Sequence, residues 1–272
     1  MKLSDCTEAE RHGLSALEPR IGHVHLRQRL GLEGDYEAHV FRRGTHFFHL
    51  ENWYSVHTLL RLALTLAGLH CRGRRNALNI QLRQRDVLLA SLPKAFDGYT
   101  LLHLSDLHLD MSESHLVRLI ERVRGLEYDV CVLTGDFRFR TFGPYTPALE
   151  ALARLRTHLH RPTYAVLGNH DTIRMVPGME ALDIRVLMNE SVRIERANEA
   201  LYLAGIDDAH YFRTHNFHRC PRHSARGVRS PLVAHAGTLS PRGSRWLQPD
   251  ALRSHTRRTN LFARWAADHH RL

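Results

Sequence analysis

Residues 99–108 read YTLLHLSDLH, an apolar run that breaks into a polar segment carrying Asp106 and His108. The run suits one buried strand. Two later stretches repeat the form: residues 130–136 read VCVLTGD, and residues 164–171 read YAVLGNHD. Patterns of helical spacing lie between them. Leu116, Leu119, Ile120 and Val123 follow Ser112 or Ser114 as a candidate cap, with Gly125 as a stop. Thr146-Pro147 reads as N-cap and N1 of a second helix running through Leu149, Leu152, Leu155 and Leu159. Strand patterns recur at residues 184–188, 192–195 and 201–206, and less clearly at 79–91. Strands alternating with helices predict an α/β fold whose sheet is covered on both faces.

Each of the three clearest strands ends in side chains able to hold a metal. Asp106 and His108 follow the first, Gly135-Asp136 the second, and Gly168-Asn169-His170-Asp171 the third. Ligands of open α/β sheets gather at the carboxyl ends of strands. Asp, His and Asn supply the oxygen and nitrogen donors that divalent metals take. Asp106 and His108 are two apart, so an extended backbone points both to one side. A lone Asp-x-His is more often a surface turn, and a lone Gly-Asp means little. Three such endings in order argue for a site.

At these residues the sequence resembles the calcineurin-like metallophosphoesterases, whose blocks are DxH, GD, GNH[DE], a lone His and GHxH. The segment from about Asn79 to Phe217 is similar to a bacterial subgroup whose last block reads GHTHGGQI. The lead-in Leu92 to Gly98 and the segment Gly205-Ile206-Asp207-Asp208 share in that similarity. The resemblance implies a four-layer α/β/β/α sandwich, C-terminally incomplete here, with two divalent metal ions (Mn, Fe or Zn). It implies that Asp106 and His108 hold the first ion, that Asp136 bridges both and that Asn169 holds the second. On the same resemblance, a hydroxide activated by the two ions would attack a phosphomonoester or phosphodiester substrate. The resemblance also implies that His170 sits near the leaving group as acid or hydrogen-bond donor, with Asp171 as its orienting partner.

The last two blocks are missing downstream of Asp208. His210, His215, His218, His235 and His255 are present in the wrong context. Residues 219–272 contain 11 Arg, no Lys and two acids, Asp250 and Asp268, a net of +9. The rest of the chain is nearly neutral, although the whole carries +10. A codon argument accounts for the contrast. Joining the second and third bases of each codon to the first base of the next lets Arg253 to Trp265 read GHTHGGQICLPGG. Val233 to Ser240 can read SHTPELYR in the same way. The chain is therefore expected to be out of frame, a frameshift, from about Arg219, with residues 219–272 a disordered tail not selected to fold. Arg far outnumbers Lys, which occurs only at Lys2 and Lys94, as GC-rich coding produces.

The expected organisation is a mainly helical extension at residues 1–75, a phosphoesterase domain at 76–218 and the Arg-rich tail at 219–272. Two other readings stand beside the enzyme: an inactive remnant binding one metal poorly, and a basic-tailed binder of nucleic acid or membrane surface. Nucleic acid is not expected as a partner, because the charge resides in the suspect tail. Four scattered cysteines without a CxxC pair argue against a disulfide framework and fit a reducing, cytoplasmic setting. The apolar stretch Leu59 to Leu69 is interrupted by Arg61 and is too short to span a bilayer. It reads as an amphipathic helix packed on the domain or, alternatively, in peripheral contact with a membrane.

Overall fold

A computed structural model of the chain describes residues 8–42, 54–89, 92–209, 211–216, 231–235, 238–241 and 263–267. Four helices come first: α1 (Glu8–Ile21), α2 (His23–Arg42), α3 (Tyr54–Leu66) and α4 (His70–Leu78). The α/β alternation follows as β1 (Asp86–Leu89), β2 (Thr100–Ser105), α5 (Glu113–Val123), β3 (Val130–Thr134), α6 (Thr146–Arg156) and β4 (Thr163–Val166). It continues with α7 (Val176–Ala181), β5 (Ile184–Val186), β6 (Glu190–Arg196) and β7 (Glu199–Gly205). The last described strands are β8 (Pro231–His235), β9 (Thr238–Pro241) and β10 (Ala263–Ala267).

Two sheets form. The first has the order β1-β10-β2-β3-β4-β5, and the second β6-β7-β8-β9. The neighbours β2, β3, β4 and β5 are all parallel. The two-residue period of a strand divides their side chains between two cores. Leu102, Leu104, Cys131, Leu133, Ala165 and Leu167 face the helices. Leu101, Val130, Val132 and Val166 face the second sheet, where they meet Leu201 and Leu203 of β7. Both faces of β2 and β3 are thus buried, which explains why these strands read as largely apolar runs. The architecture is the expected α/β sandwich. Its helix, sheet and sheet layers lie among the described residues.

Several element boundaries differ from expectation. Tyr145 occupies the N-cap of α6, so Thr146 is already helical and Pro147 lies in the first turn. That helix stops at Arg156, and Leu159 reaches the core from the following loop. The pattern at 79–91 shortens to a strand at 86–89; Ile80 is buried without being part of it. The segment after Arg219 offers no strand pattern, yet it supplies β8, β9 and β10. Backbone pairing needs no alternating side chains. β8 lies parallel to β7, and β10 sits between β1 and β2.

Leu14, Leu17 and Ile21 of α1 and Leu26 and Leu30 of α2 are buried in the same core as β2 and β3. The first two helices therefore pack as part of the body. A buried polar network fixes them there. Asp207, fully buried, accepts hydrogen bonds from His25 Nε2 at 2.9 Å and the Thr214 hydroxyl at 2.6 Å. It also pairs with Arg29 Nη1 at 3.4 Å. The Asn189 side-chain oxygen accepts from the backbone N–H of Asp207 and Asn216, so its amide nitrogen donates to His25 Nδ1 and the Thr214 carbonyl.

Burial alone would raise the Asp207 carboxyl, but Arg29, His25 and Thr214 outweigh it and hold the group at about 2. A carboxyl depressed on folding stabilises the fold above its unfolded value near about 3.9, and that contribution fades as pH falls toward about 2. Asp207→Ala leaves Arg29 buried without this partner and is expected to cost about 3 to 5 kcal/mol. Urea unfolding of parent and variant at pH 7 measures it. A cost below about 1 kcal/mol would show the network to be dispensable.

Candidate metal centre

Parallel pairing brings the three sequence endings to one edge. Ser105 lies opposite Thr134, and Thr134 opposite Val166, so the residues that follow leave the sheet side by side. The backbone turns sharply at once. Asp106, His108 and Asp136 have φ of 53°, 41° and 54°, and Gly135 has 75°. Left-handed backbone at three non-glycine residues costs energy and persists only where the surroundings enforce it. Here the loops enforce each other: His108 N–H donates to the Asp136 carbonyl and Leu109 N–H to that of Phe137, both at 2.8 Å.

Two glycines allow the loops to close. A Cβ on Gly168 would stand 2.1 Å from Asp136 Oδ1, and one on Gly135 would stand 2.6 Å from the Gly168 nitrogen. Any side chain at either position would push the carboxylate-bearing loop off its neighbour.

The candidate side chains take defined orientations. His108 Nδ1 is 2.9 Å from the Arg138 carbonyl, and His170 Nδ1 is 2.7 Å from that of Phe139. A carbonyl only accepts, so Nδ1 carries the proton in both rings. Metal ligation by His108, or proton exchange by His170, then runs through Nε2. The two rings lie edge to face with centroids 5.0 Å apart. Asp106 accepts from the Ser105 hydroxyl at 2.5 Å. Asn169 is half-buried, and its amide has no hydrogen-bond partner among the described residues.

Asp136 is the electrostatic focus. Burial pushes its carboxyl up to about 7, with Asp171 and Asp106 adding repulsion, while the His170 N–H and His108 act the other way. A carboxyl held back from ionising first by burial and then by other carboxylates is one whose charged form a neighbouring cation would favour.

Asp171 has a different environment from the one expected. Its Oδ1 accepts from the Phe137 N–H and its Oδ2 from that of Gly168, both at 2.8 Å. It ties the Asp136 loop to the Gly168 loop, whereas the His170 ring is held by the Phe139 carbonyl. Sequence reasoning also missed Arg138, which is buried and donates to the carbonyls of His170, Thr141 and Gly143. Burial lowers its pKa, and Asp171 and Glu33 oppose that. Asp110, which fixes the Phe139 N–H at 2.6 Å, continues the spacing of Asp106 and His108 and was legible in principle.

A cavity of about 350 Å³ adjoins these loops, lined by Glu33 and Tyr36 of α2 together with Arg138, Thr172, Tyr211 and Phe212. Asp207 and Asp208, in the segment expected to precede a lone ligand histidine, are buried and structural. Asp208 accepts from the N–H groups of Tyr211 and Phe212. His215 is exposed, and the side chains of His210, His218, His235 and His255 lie outside the described residues. Among the described residues, no three His, Cys, Asp or Glu side chains converge as a complete metal cage. The donors present suit part of a divalent site: hard carboxylates, an imidazole nitrogen and an unpartnered amide.

A family profile for calcineurin-like phosphoesterases matches residues 99–269. The chain belongs to the calcineurin-like phosphoesterase family. It is 36% identical over 117 residues to YkoQ, an uncharacterised metallophosphoesterase of Bacillus subtilis, a match spanning 40% of this chain and 43% of that protein. It is 31% identical over 133 residues to a zebrafish transmembrane protein with a metallophosphoesterase domain, spanning 45% of this chain and 30% of that one. The chain thus spans less than half the length of either relative. Members of this family generally bind divalent metal ions. No described helix is long and apolar enough to cross a membrane.

Proposed function

We propose that the chain descends from a two-metal hydrolase of a phosphomonoester or phosphodiester, and that its reading frame departs from that enzyme's near Arg219. The observation that carries the first part is Asp136: buried, crowded by other carboxylates, and set where three strand ends meet. Asp106 and His108 would hold one ion, Asp136 would bridge both, and Asn169 would hold the second. Such ions supply an activated nucleophile and neutralise charge on the phosphoryl oxygens. The protein's part is to aim donors. The Phe139 carbonyl keeps His170 Nδ1 protonated, so Nε2 is the nitrogen that meets the leaving oxygen. Asp171 and Arg138 hold the loops from which Asp136 and His170 project. The neighbouring cavity is of a size to take the organic part of the ester.

A second reading, the inactive remnant, is favoured by the incomplete ligand set among the described residues. The proposed frame change joins the two readings, because the shifted codons can restore GHTHGG.

The role of His170 has its own test. In the chain from a gene corrected by one base, His170→Ala is expected to lower kcat by about 10² to 10⁴. Metal content, read by elemental analysis, should stay near that of the parent. Loss of metal instead would make His170 a ligand.

A further inference from the structure

We propose that the α3–α4 hairpin docks the protein on an anionic membrane surface. α3 turns an apolar stripe to solvent. Leu59, Leu62 and Leu66 stand at i, i+3 and i+7 with relative exposures of 66%, 55% and 80%, and Leu69 just beyond the helix is 46% exposed. Spacings of three, four and seven put side chains on one face of a helix. Arg61 and Thr65 flank the stripe, and the Thr65 hydroxyl is turned back onto the Arg61 carbonyl at 2.7 Å. The sequence leaves open a helix packed by this stripe, but its leucines are exposed. Soluble proteins seldom leave several large apolar side chains together in water without a partner.

Charge selects the partner. Residues 52–85 contain six arginines and no acid. Arg61 on α3 and Arg72, Arg74 and Arg75 on α4 are all exposed. α4 buries none of its residues. An apolar face beside a cluster of arginines fits a bilayer interface with anionic headgroups, where the leucines enter the acyl boundary and the guanidinium groups meet phosphate. The geometry suits lying in the surface rather than crossing it. Thirteen residues of helix span about 20 Å, short of the roughly 30 Å hydrocarbon core. A protein partner or a second copy would also cover the leucines, but neither accounts for a segment of this length without an acid.

The test is sedimentation of the full chain with vesicles of phosphatidylcholine alone or mixed with phosphatidylglycerol. Binding is expected to the mixed vesicles only, and to weaken with salt. Leu62→Gln with Leu66→Gln changes no charge and should reduce partitioning about tenfold. Binding that survives this double substitution would assign it to arginines elsewhere, the tail included, and overturn the proposal. Failure to bind the mixed vesicles would overturn it too. So would a parent dimer that the double variant converts to monomer while vesicle binding is unchanged. None of these readouts depends on phosphoesterase activity.

Discussion

Asp136→Asn, in the chain from the one-base-corrected gene, should abolish hydrolysis of a generic aryl phosphate diester. The reasoning rests on position. Asp136 follows β3, the middle one of the three strands that carry candidate ligands, and a bridging carboxylate serves both ions at once. Burial, Asp171 and Asp106 disfavour its charged form unless a cation stands beside it, and an Asn side chain would offer that cation no charge. A two-metal site holds its ions about 3.5 to 4 Å apart, a separation that a shared ligand enforces. Turnover should fall to background and metal content should fall with it. Circular dichroism should show the fold intact, because the Asn side-chain oxygen can still accept the His170 N–H that Asp136 Oδ1 accepts at 3.1 Å. Retention of most activity would remove Asp136 from the bridging role.

The second large effect concerns the chain as it stands. Its sequence lacks the GHxH block, and His235 and His255 have neighbours that do not match it. Expressed unaltered, residues 1–272 should show phosphoesterase activity near background even with added Mn. The corrected gene should give an active enzyme. Equal activity would show that residues 219–272 supply ligands in their present form. His235 would be the first to examine, since β8, which it ends, pairs with β7 in the second sheet.

Much of the α/β body was legible because β2 and β3 are buried on both faces and are therefore mostly apolar; buried His103 is tolerated because it bonds the Thr134 hydroxyl at 2.7 Å. α5 was clear because Leu116, Leu119 and Val123 line one face, and Gly125 ends it with φ of 80°. The site residues were legible because the chemistry needs particular side chains at the turns. What escaped was work done by backbone. The carbonyls of Arg138 and Phe139, which set the tautomers of His108 and His170, have no signature in residue identity. The Asp207 network escaped because its members lie far apart in sequence and meet only when α2 packs against the loop after β7. The exposure of α3 escaped for a related reason: periodicity reveals that a helix has an apolar face, not what that face meets. β8 to β10 escaped because pairing of the backbone tolerates sequences with no strand pattern.

Half of a two-metal site is proposed to stand at the ends of β2, β3 and β4, with the other half in the shifted frame. Metal stoichiometry tests this most directly. Both proteins, from the unaltered gene and from the gene corrected by one base between codons 210 and 225, would be stripped of metal, titrated with Mn and analysed for bound ion per chain. Two ions on the corrected chain and at most one, weakly held, on the unaltered chain is the predicted result. Two tightly held ions on the unaltered chain would contradict it.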